Sequence, residues 1–359
     1  MKRIFTSYTI ADSNAIKNQV LNFGNKFSTF CFLDSHEYNF KKSYDCIAGI
    51  GLITRTDSSS SSHLALNTFD SFQQQNNDWI FGHLSYDIKN EIEDLSSSNF
   101  DGIGFPDIFF FVPQIVFIIE KDLLRIGVLS NQNADDIFKE MASLVETEES
   151  VKTIPKLKAR YSKEEYLETV CILKNHISRG DCYEVNFCQE IFADYTRINP
   201  LEVYQNLGVH SPNPFSAFYK CEDKFLMCAS PERYLKKEGR LLTSQPIKGT
   251  AKRIFSDFQK DLVQKESLKR NKKERAENTM IVDLVRNDLS KICEEGSVKV
   301  DDFLEVYTFP QVHQMISSIS GILRNDVNNI SEIFRASFPM GSMTGAPKKR
   351  VMELIEKYE

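Results

Sequence analysis

Residues 241–253 read Leu-Leu-Thr-Ser-Gln-Pro-Ile-Lys-Gly-Thr-Ala-Lys-Arg. The first four form a short strand-like run, and Pro246 and the Gly249-Thr250 pair predict a turn. A long charged helix is expected next, roughly from Asp257 to Leu289. Strand-like runs and helical runs are grouped along the chain rather than alternating. Such grouping favours an α+β fold over a doubly wound parallel sheet. Lys248, set against the turn, is also a candidate nucleophile. To attack carbon near neutral pH its pKa must drop from about 10.4, at a cost of about 4 kcal/mol. Desolvation or a neighbouring cation (a metal, Lys252 or Arg253) would supply that.

Outward from this stretch the strand signals continue. Phe30–Leu33, Trp79–Gly82, the two halves of Ile108–Ile119, Val185–Phe187, Phe215–Tyr219 and Phe225–Cys228 are rich in aromatic and β-branched residues. Ser58–Ser62 and Gln73–Asp78 are polar low-complexity patches, expected as surface loops. Glu146–Arg160 is charged, carries Pro155 and is expected as a linker. Ser162 and Glu165 form a capping box. Tyr166, Val170, Leu173 and Ile177 then fall at helical spacing, and Gly180 ends the helix. A helical piece is expected over Glu332–Phe338, and a last helix begins near Pro347.

The bulk numbers exclude several classes. The chain has 359 residues with 41% apolar content, enough for two ordinary domains or one large one. A net charge of -6 leaves no basic excess for a nucleic-acid backbone. Met1–Ile10 has no apolar run of signal-peptide length, and Ile108–Ile119 is too short to span a bilayer. A soluble, cytoplasmic protein is expected. Eight cysteines occur without a C-x-x-C pair or clustered histidines, so reduced thiols are expected rather than a zinc site.

Other groups bear on chemistry. Glu274/Glu277 and Glu356/Glu359 each lie three residues apart, on one face of a helix. In a chain with 50 acidic residues each pair alone is an ordinary solvated face. Together they are four oxygen donors of the kind that suits Mg²⁺. Glu232, after Pro231, is a general acid if its carboxyl is held protonated, and otherwise a turn residue paired with Arg233. Phe338–Lys348 is a Gly/Ser/Thr loop entering a helix, where backbone N–H groups could hold a carboxylate.

In order, these pieces resemble the chorismate-utilising enzymes, the family of aminodeoxychorismate synthase component I and anthranilate synthase component I. The matching segments are Gly180-Asp-Cys-Tyr-Glu-Val-Asn186, Ser230-Pro-Glu-Arg-Tyr234, Pro246-Ile-Lys-Gly-Thr250, Arg275-Ala-Glu-Asn-Thr-Met-Ile-Val-Asp-Leu284, Arg286-Asn-Asp288 and Gly341-Ser-Met-Thr-Gly-Ala-Pro-Lys348. The resemblance implies a two-lobed antiparallel β-sandwich core with flanking helices. It divides the chain into an N-terminal region, 1–155, and a chorismate-binding region, 160–359. The second region is expected to be C-terminally incomplete, because the family continues with a Gly-rich strand, a substrate-binding arginine and a further glycine loop.

Lysine at position 248, where anthranilate synthases usually carry alanine, implies the 4-amino branch. That is Mg²⁺-dependent amination of chorismate, classed among the transaminases, to 4-amino-4-deoxychorismate for folate biosynthesis. Lys248 is expected to add to the ring and Glu232 to protonate the departing hydroxyl. Glu277 and Glu359, supported by Glu274 and Glu356, would hold Mg²⁺. Gly249, Thr250, Gly341, Ser342, Thr344 and Gly345 would line the substrate site. Ammonia would come from a separate glutamine amidotransferase subunit. Ser35, in Phe32-Leu-Asp-Ser35, resembles the family's N-terminal aromatic-ligand pocket. The alternatives are anthranilate synthase component I and a non-catalytic aromatic-ligand-binding subunit. Two positions depart from the family pattern. Glu184 stands where glutamine is usual. A histidine's usual place holds Gln314, with His313 one step off and, by strand alternation, on the opposite face.

Overall fold

The computed structural model describes residues 2–38, 44–58, 64–144 and 154–359. They fall into two compact units, both discontinuous in sequence. The first comprises Met1–Ile88, Asp101–Ile154 and Thr196–Pro231, and the second Lys89–Phe100, Pro155–Tyr195 and Glu232–Glu359. The expected division near 155–160 is thus one crossing among several. Most of Ser58–Ser62 and the first part of Glu146–Arg160 lie outside the described residues. No helix among the described residues is long and apolar enough to cross a membrane.

The first unit is built on a seven-stranded antiparallel sheet. Its order is Arg3–Thr9, Leu123–Leu129, Ile115–Glu120, Cys46–Ile50, Thr29–Asp34, Phe215–Cys221 and Lys224–Ser230. Alternation along the strands sorts the side chains. Phe30, Phe32, Phe117 and Phe218 join one core with Val20, Phe23, Met141 and Tyr204 of three helices. Cys31, Val116, Ile118 and Tyr219 join another with Phe81, Phe109 and Phe111 of a three-stranded sheet. Phe215–Cys221 pairs with Thr29–Asp34 from Ser216↔Asp34 to Cys221↔Thr29. This pairing carries residues after 195 into the N-terminal unit. The expected loop at Gln73–Asp78 is partly helical: Ala65–Gln75 buries Phe69 and Phe72, and Asp78 is salt-bridged to Arg3.

The second unit is organised around one strand, Val312–Ile322. Lys299–Thr308 pairs along it, as do Leu241–Gln245 at its Ile319–Ile322 end and Ile247–Lys252 at its Val312–Ile316 end. Leu242 and Ile319 pack against Ile281, Val282, Val285 and Leu289 of the helix Lys272–Ser290. The helices Lys163–Ser178 and Lys348–Tyr358 share a smaller core through Leu173, Leu354 and Ile355. The Ser162–Glu165 capping box forms, and Gly180 takes φ +85 just past the helix end. The expected single helix from Asp257 to Leu289 is two, Phe258–Arg270 and Lys272–Ser290. Asn271 divides them, because its side chain accepts from the Lys273 and Glu274 N–H groups and so starts a new helix. With antiparallel sheets and flanking helices in each unit, the α+β expectation holds.

Candidate functional site

The turn expected at Gly249-Thr250 is instead a bulge inside the strand Ile247–Lys252. Ile247 faces Ile316 and Thr250 faces Gln314, so two residues, Lys248 and Gly249, oppose Met315 alone. A bulge re-aims a side chain. Gly249 permits this one, with φ +95, and a Cβ there would sit tightly, 3.1 Å from the Glu274 Cβ. Lys248 forms an ion pair with Glu184 and donates to Asn186 Oδ1 at 2.8 Å. The Lys248 and Glu184 side chains are only 13% and 16% exposed. The partner of Lys248 is therefore an anion, not the cation expected. Arg253 is engaged elsewhere, with Asp261 and the Phe309 carbonyl.

Glu232 lies beside this pair. Its Oε1 accepts the Ile247 N–H at 2.9 Å, whereas Arg233 donates to Gln245 Oε1. The local Glu232–Arg233 pair is thus replaced by contacts along the sheet. Burial pushes the Glu232 carboxyl above the usual range, against the Ser342 hydroxyl, the Ile247 N–H and the Lys248 charge, which draw it down. Glu184 Oε2 and Gln314 Oε1 are buried without a hydrogen-bond partner. His313 faces the other way, between Asp261 Oδ1 and Thr308 Oγ1, as strand alternation requires.

The Gly341–Ala346 loop is stitched to the Glu184 segment. Tyr183 N donates to Ala346 O and Asn186 N to Thr344 O, while Asn186 Nδ2 reaches Ser342 O. Gly345, with φ +133, would place a Cβ 2.1 Å from the Glu184 carbonyl oxygen, so only glycine fits. Ser342 and Thr344 are buried. The Met343, Thr344 and Gly345 N–H groups bond within their own turn, so they are not available as a carboxylate cradle. Lys348 anchors the loop, donating to Asp288 Oδ2 at 2.7 Å, Ser337 O at 2.8 Å and Pro339 O at 3.2 Å. Gly341 packs on Leu284, and Thr250 is exposed.

The four glutamates are not drawn into one ligand set. Glu274 and Glu277 share Lys273, at 3.7 and 3.0 Å, which relieves their repulsion without a metal. Glu356 accepts from Ser98 N and Oγ at 2.6 and 3.0 Å. Glu359 accepts from Cys188 N at 2.7 Å, and burial pushes its carboxyl up. Among the described residues, no group of three or more His, Cys, Asp or Glu side chains stands close enough to hold an ion. The expected Mg²⁺ site is thus not assembled by these residues as they stand.

Ser35 belongs to the first unit, where it is buried and its hydroxyl has no partner. Its neighbour Asp34 accepts from Lys17 Nζ at 2.8 Å and from the His36 N–H. All eight cysteines are free.

Residue type alone does not mark Asn186 or Asn278 as functional, yet both touch the Lys248 segment. Asn278 Nδ2 donates to Lys248 O and Met315 O. The signal for Asn278 is its place on the same helical face as Ile281, Val282 and Val285, where a polar side chain needs partners.

A family model described as chorismate binding enzyme matches residues 28–359. Aminodeoxychorismate synthase component 1 of Salmonella typhimurium is 33% identical over 279 residues, covering 77% of this chain and 61% of that protein. Its counterpart in Bacillus subtilis is 30% identical over 292 residues, covering 77% and 62%. The chain thus spans about three fifths of the length of these curated relatives. Anthranilate synthase component I from Streptococcus pneumoniae superposes with a TM-score of 0.73 at 23% identity, over 92% of this chain and 77% of that one, a likeness of fold.

Proposed function

The chain belongs to the chorismate-binding enzymes, and from that premise we propose that it acts as component I of an aminodeoxychorismate synthase. It would aminate chorismate at C4, giving 4-amino-4-deoxychorismate for folate biosynthesis. The likeness to two bacterial enzymes of that name supports this. The observation that carries it is a lysine placed by a bulge beside a buried, upshifted carboxyl, Lys248 and Glu232.

Each group has a role in this reading. Glu232, held protonated to higher pH than an exposed glutamate, gives its proton to the C4 hydroxyl, which leaves as water. The neutral Lys248 amine forms a bond to C2 as both ring double bonds shift, C1=C2 to C1=C6 and C5=C6 to C4=C5, and the C4–O bond breaks. Ammonia then attacks C4, both double bonds return and the C2–N bond breaks, its electron pair leaving with the Lys248 amine. One hard substitution becomes two easier ones. At rest Lys248 is paired with Glu184. It must shed a proton before it can act. Gly249, Thr250, Gly341, Ser342, Thr344 and Gly345 line the substrate region in this reading. A glutamine amidotransferase subunit supplies the ammonia, in keeping with the relatives' name of component 1. A cytoplasmic location belongs to the same proposal. Mg²⁺ also belongs to it, but no step here runs through the ion, because the four glutamates are not gathered.

The test is product analysis of the protein with chorismate, ammonium and Mg²⁺, with and without aminodeoxychorismate lyase. 4-Aminobenzoate appearing only with the lyase is expected, and so is its loss on chelation. Anthranilate formed without the lyase reverses the branch assignment.

A further inference from the structure

We infer that Asn278 is a positioning residue that fixes Lys248 for its role, acting through the backbone of the bulge; this rests on the reading of Lys248 just given. A bulge interrupts the strand ladder and leaves carbonyls without their regular partners. Here the two carbonyls are those of Lys248 and Met315. Asn278, only 1% exposed, donates one amide N–H to each, at 3.3 and 3.1 Å. Its own Oδ1 accepts the Ser317 hydroxyl at 2.6 Å. The Ser317 Oγ in turn accepts the Leu304 N–H at 3.0 Å. Leu304 has φ +56 and lies at the second register shift of the sheet, between Asp302 and Glu305. One buried relay therefore ties together the irregularities on both sides of the central strand.

The chemistry of the side chain is demanded by its partners. Two carbonyls require an NH₂ group, and a hydroxyl that donates requires an oxygen. Aspartate would set a carboxylate oxygen against two carbonyl oxygens. Leucine would take the amide donor from both carbonyls and the acceptor from the Ser317 O–H in the core. Lys248 is consequently held at both ends. Asn278 holds its backbone carbonyl, and Glu184 and Asn186 hold its Nζ. A misplacement of about 1 Å at a reacting group can cost about 100-fold in rate.

The experiment compares wild type with Asn278→Asp in the intact protein, by three readouts: the unfolding midpoint, acylation of individual lysines by acetic anhydride followed by mass spectrometry, and kcat and KM for chorismate amination. In the folded variant, Lys248 acylation is expected to rise at least about threefold, with Lys260, 73% exposed, unchanged. The kcat is expected to fall about 100-fold with KM little altered. A folded variant with wild-type Lys248 acylation overturns the inference, as does altered acylation with unchanged kcat. If Asn278→Asp does not fold, Ser317→Ala keeps Asn278 and removes the hydroxyl that orients its amide and accepts the Leu304 N–H, and the same two shifts are expected at severalfold size; their absence there also overturns it. If the wild-type protein does not aminate chorismate, the proposed function falls, and the acylation pattern still decides whether Asn278 places Lys248.

Discussion

Replacing Lys348 by methionine should destabilise the second unit by about 4 kcal/mol. The Lys348 and Asp288 side chains are 10% and 5% exposed, and the ammonium also serves the Ser337 and Pro339 carbonyls. Breaking a buried pair from one side costs about 3–5 kcal/mol, because a desolvated charge is left behind. Lys291, 3.1 Å from the other Asp288 oxygen but half exposed, limits that loss. Two unpaired carbonyls add to it, which places the value mid-range. At about 2–4 °C per kcal/mol for a unit of this size, the transition should fall by about 8–16 °C. Adding Asp288→Asn removes the stranded charge, so the double variant should recover about 2 kcal/mol relative to the sum of the singles.

The probe for this experiment must be chosen with care. The only tryptophan, Trp79, lies in the other unit, so its fluorescence reports on the wrong structure. Amide hydrogen exchange over Lys348–Tyr358, or calorimetry, reads the second unit. The pH dependence supplies a further arm. Burial holds Lys348 below the usual lysine range, against the pull of Asp288. The unfolded chain therefore binds more protons in the window between the folded value and about 10.4. Wild-type stability gains a component that rises with pH through that window, and Lys348→Met should lack it. A loss under about 1 kcal/mol, or strict additivity in the double variant, would refute the view that this pair anchors the 339–347 loop.

Three other outcomes are expected. Lys248→Ala should reduce amination of chorismate to the detection limit of chromatography with mass spectrometry; wild-type turnover would remove the lysine from the mechanism. Glu232→Gln should cost about 10²–10⁴ in kcat. Because the folded state holds this carboxyl protonated above the unfolded value of about 4.3, wild-type stability has a component that is lost as pH rises through that window. The variant should therefore show a flatter melting temperature above pH 4 and a relative gain at pH 7, and parallel profiles would contradict the assigned burial. Gly345→Ala, with a Cβ 2.1 Å from the Glu184 carbonyl, should cost about 3 kcal/mol and lower kcat by shifting the Glu184–Asn186 segment. Unchanged unfolding and kinetics would show that the loop yields freely.

Much of the local structure is legible in the chain itself. The Ser162–Glu165 box, the Gly180 stop and the aromatic strands form where residue chemistry places them, because capping and alternation act over a few residues. Order along the chain also groups the strand runs and helical runs correctly for α+β. Asn271 is a local signal of the same kind: a capping residue inside a charged run divides one helix into two.

The features that decide the site are non-local. Lys248 is a candidate nucleophile by residue type, but its placement comes from the bulge it shares with Gly249, where Asn278 donates to its carbonyl. Its partner Glu184 is brought in by pairing with Gly345–Ala346, which are distant in sequence. Glu232 trades its adjacent arginine for a backbone N–H across the sheet. Glu274 and Glu277 share a face of the helix Lys272–Ser290, whereas Glu359 lies just past the end of the helix Lys348–Tyr358 that carries Glu356. The contacts these carboxylates make, with Lys273, Ser98 and Cys188, come from the tertiary arrangement and are not readable from the spacing. The sequence by itself determined which residues could carry charge, turn the chain or start a helix, since those properties belong to single side chains and their near neighbours. Tertiary structure alone decided which of those charges face each other and which are buried, because ion pairing and desolvation depend on distances that only the assembled sheets and helices set.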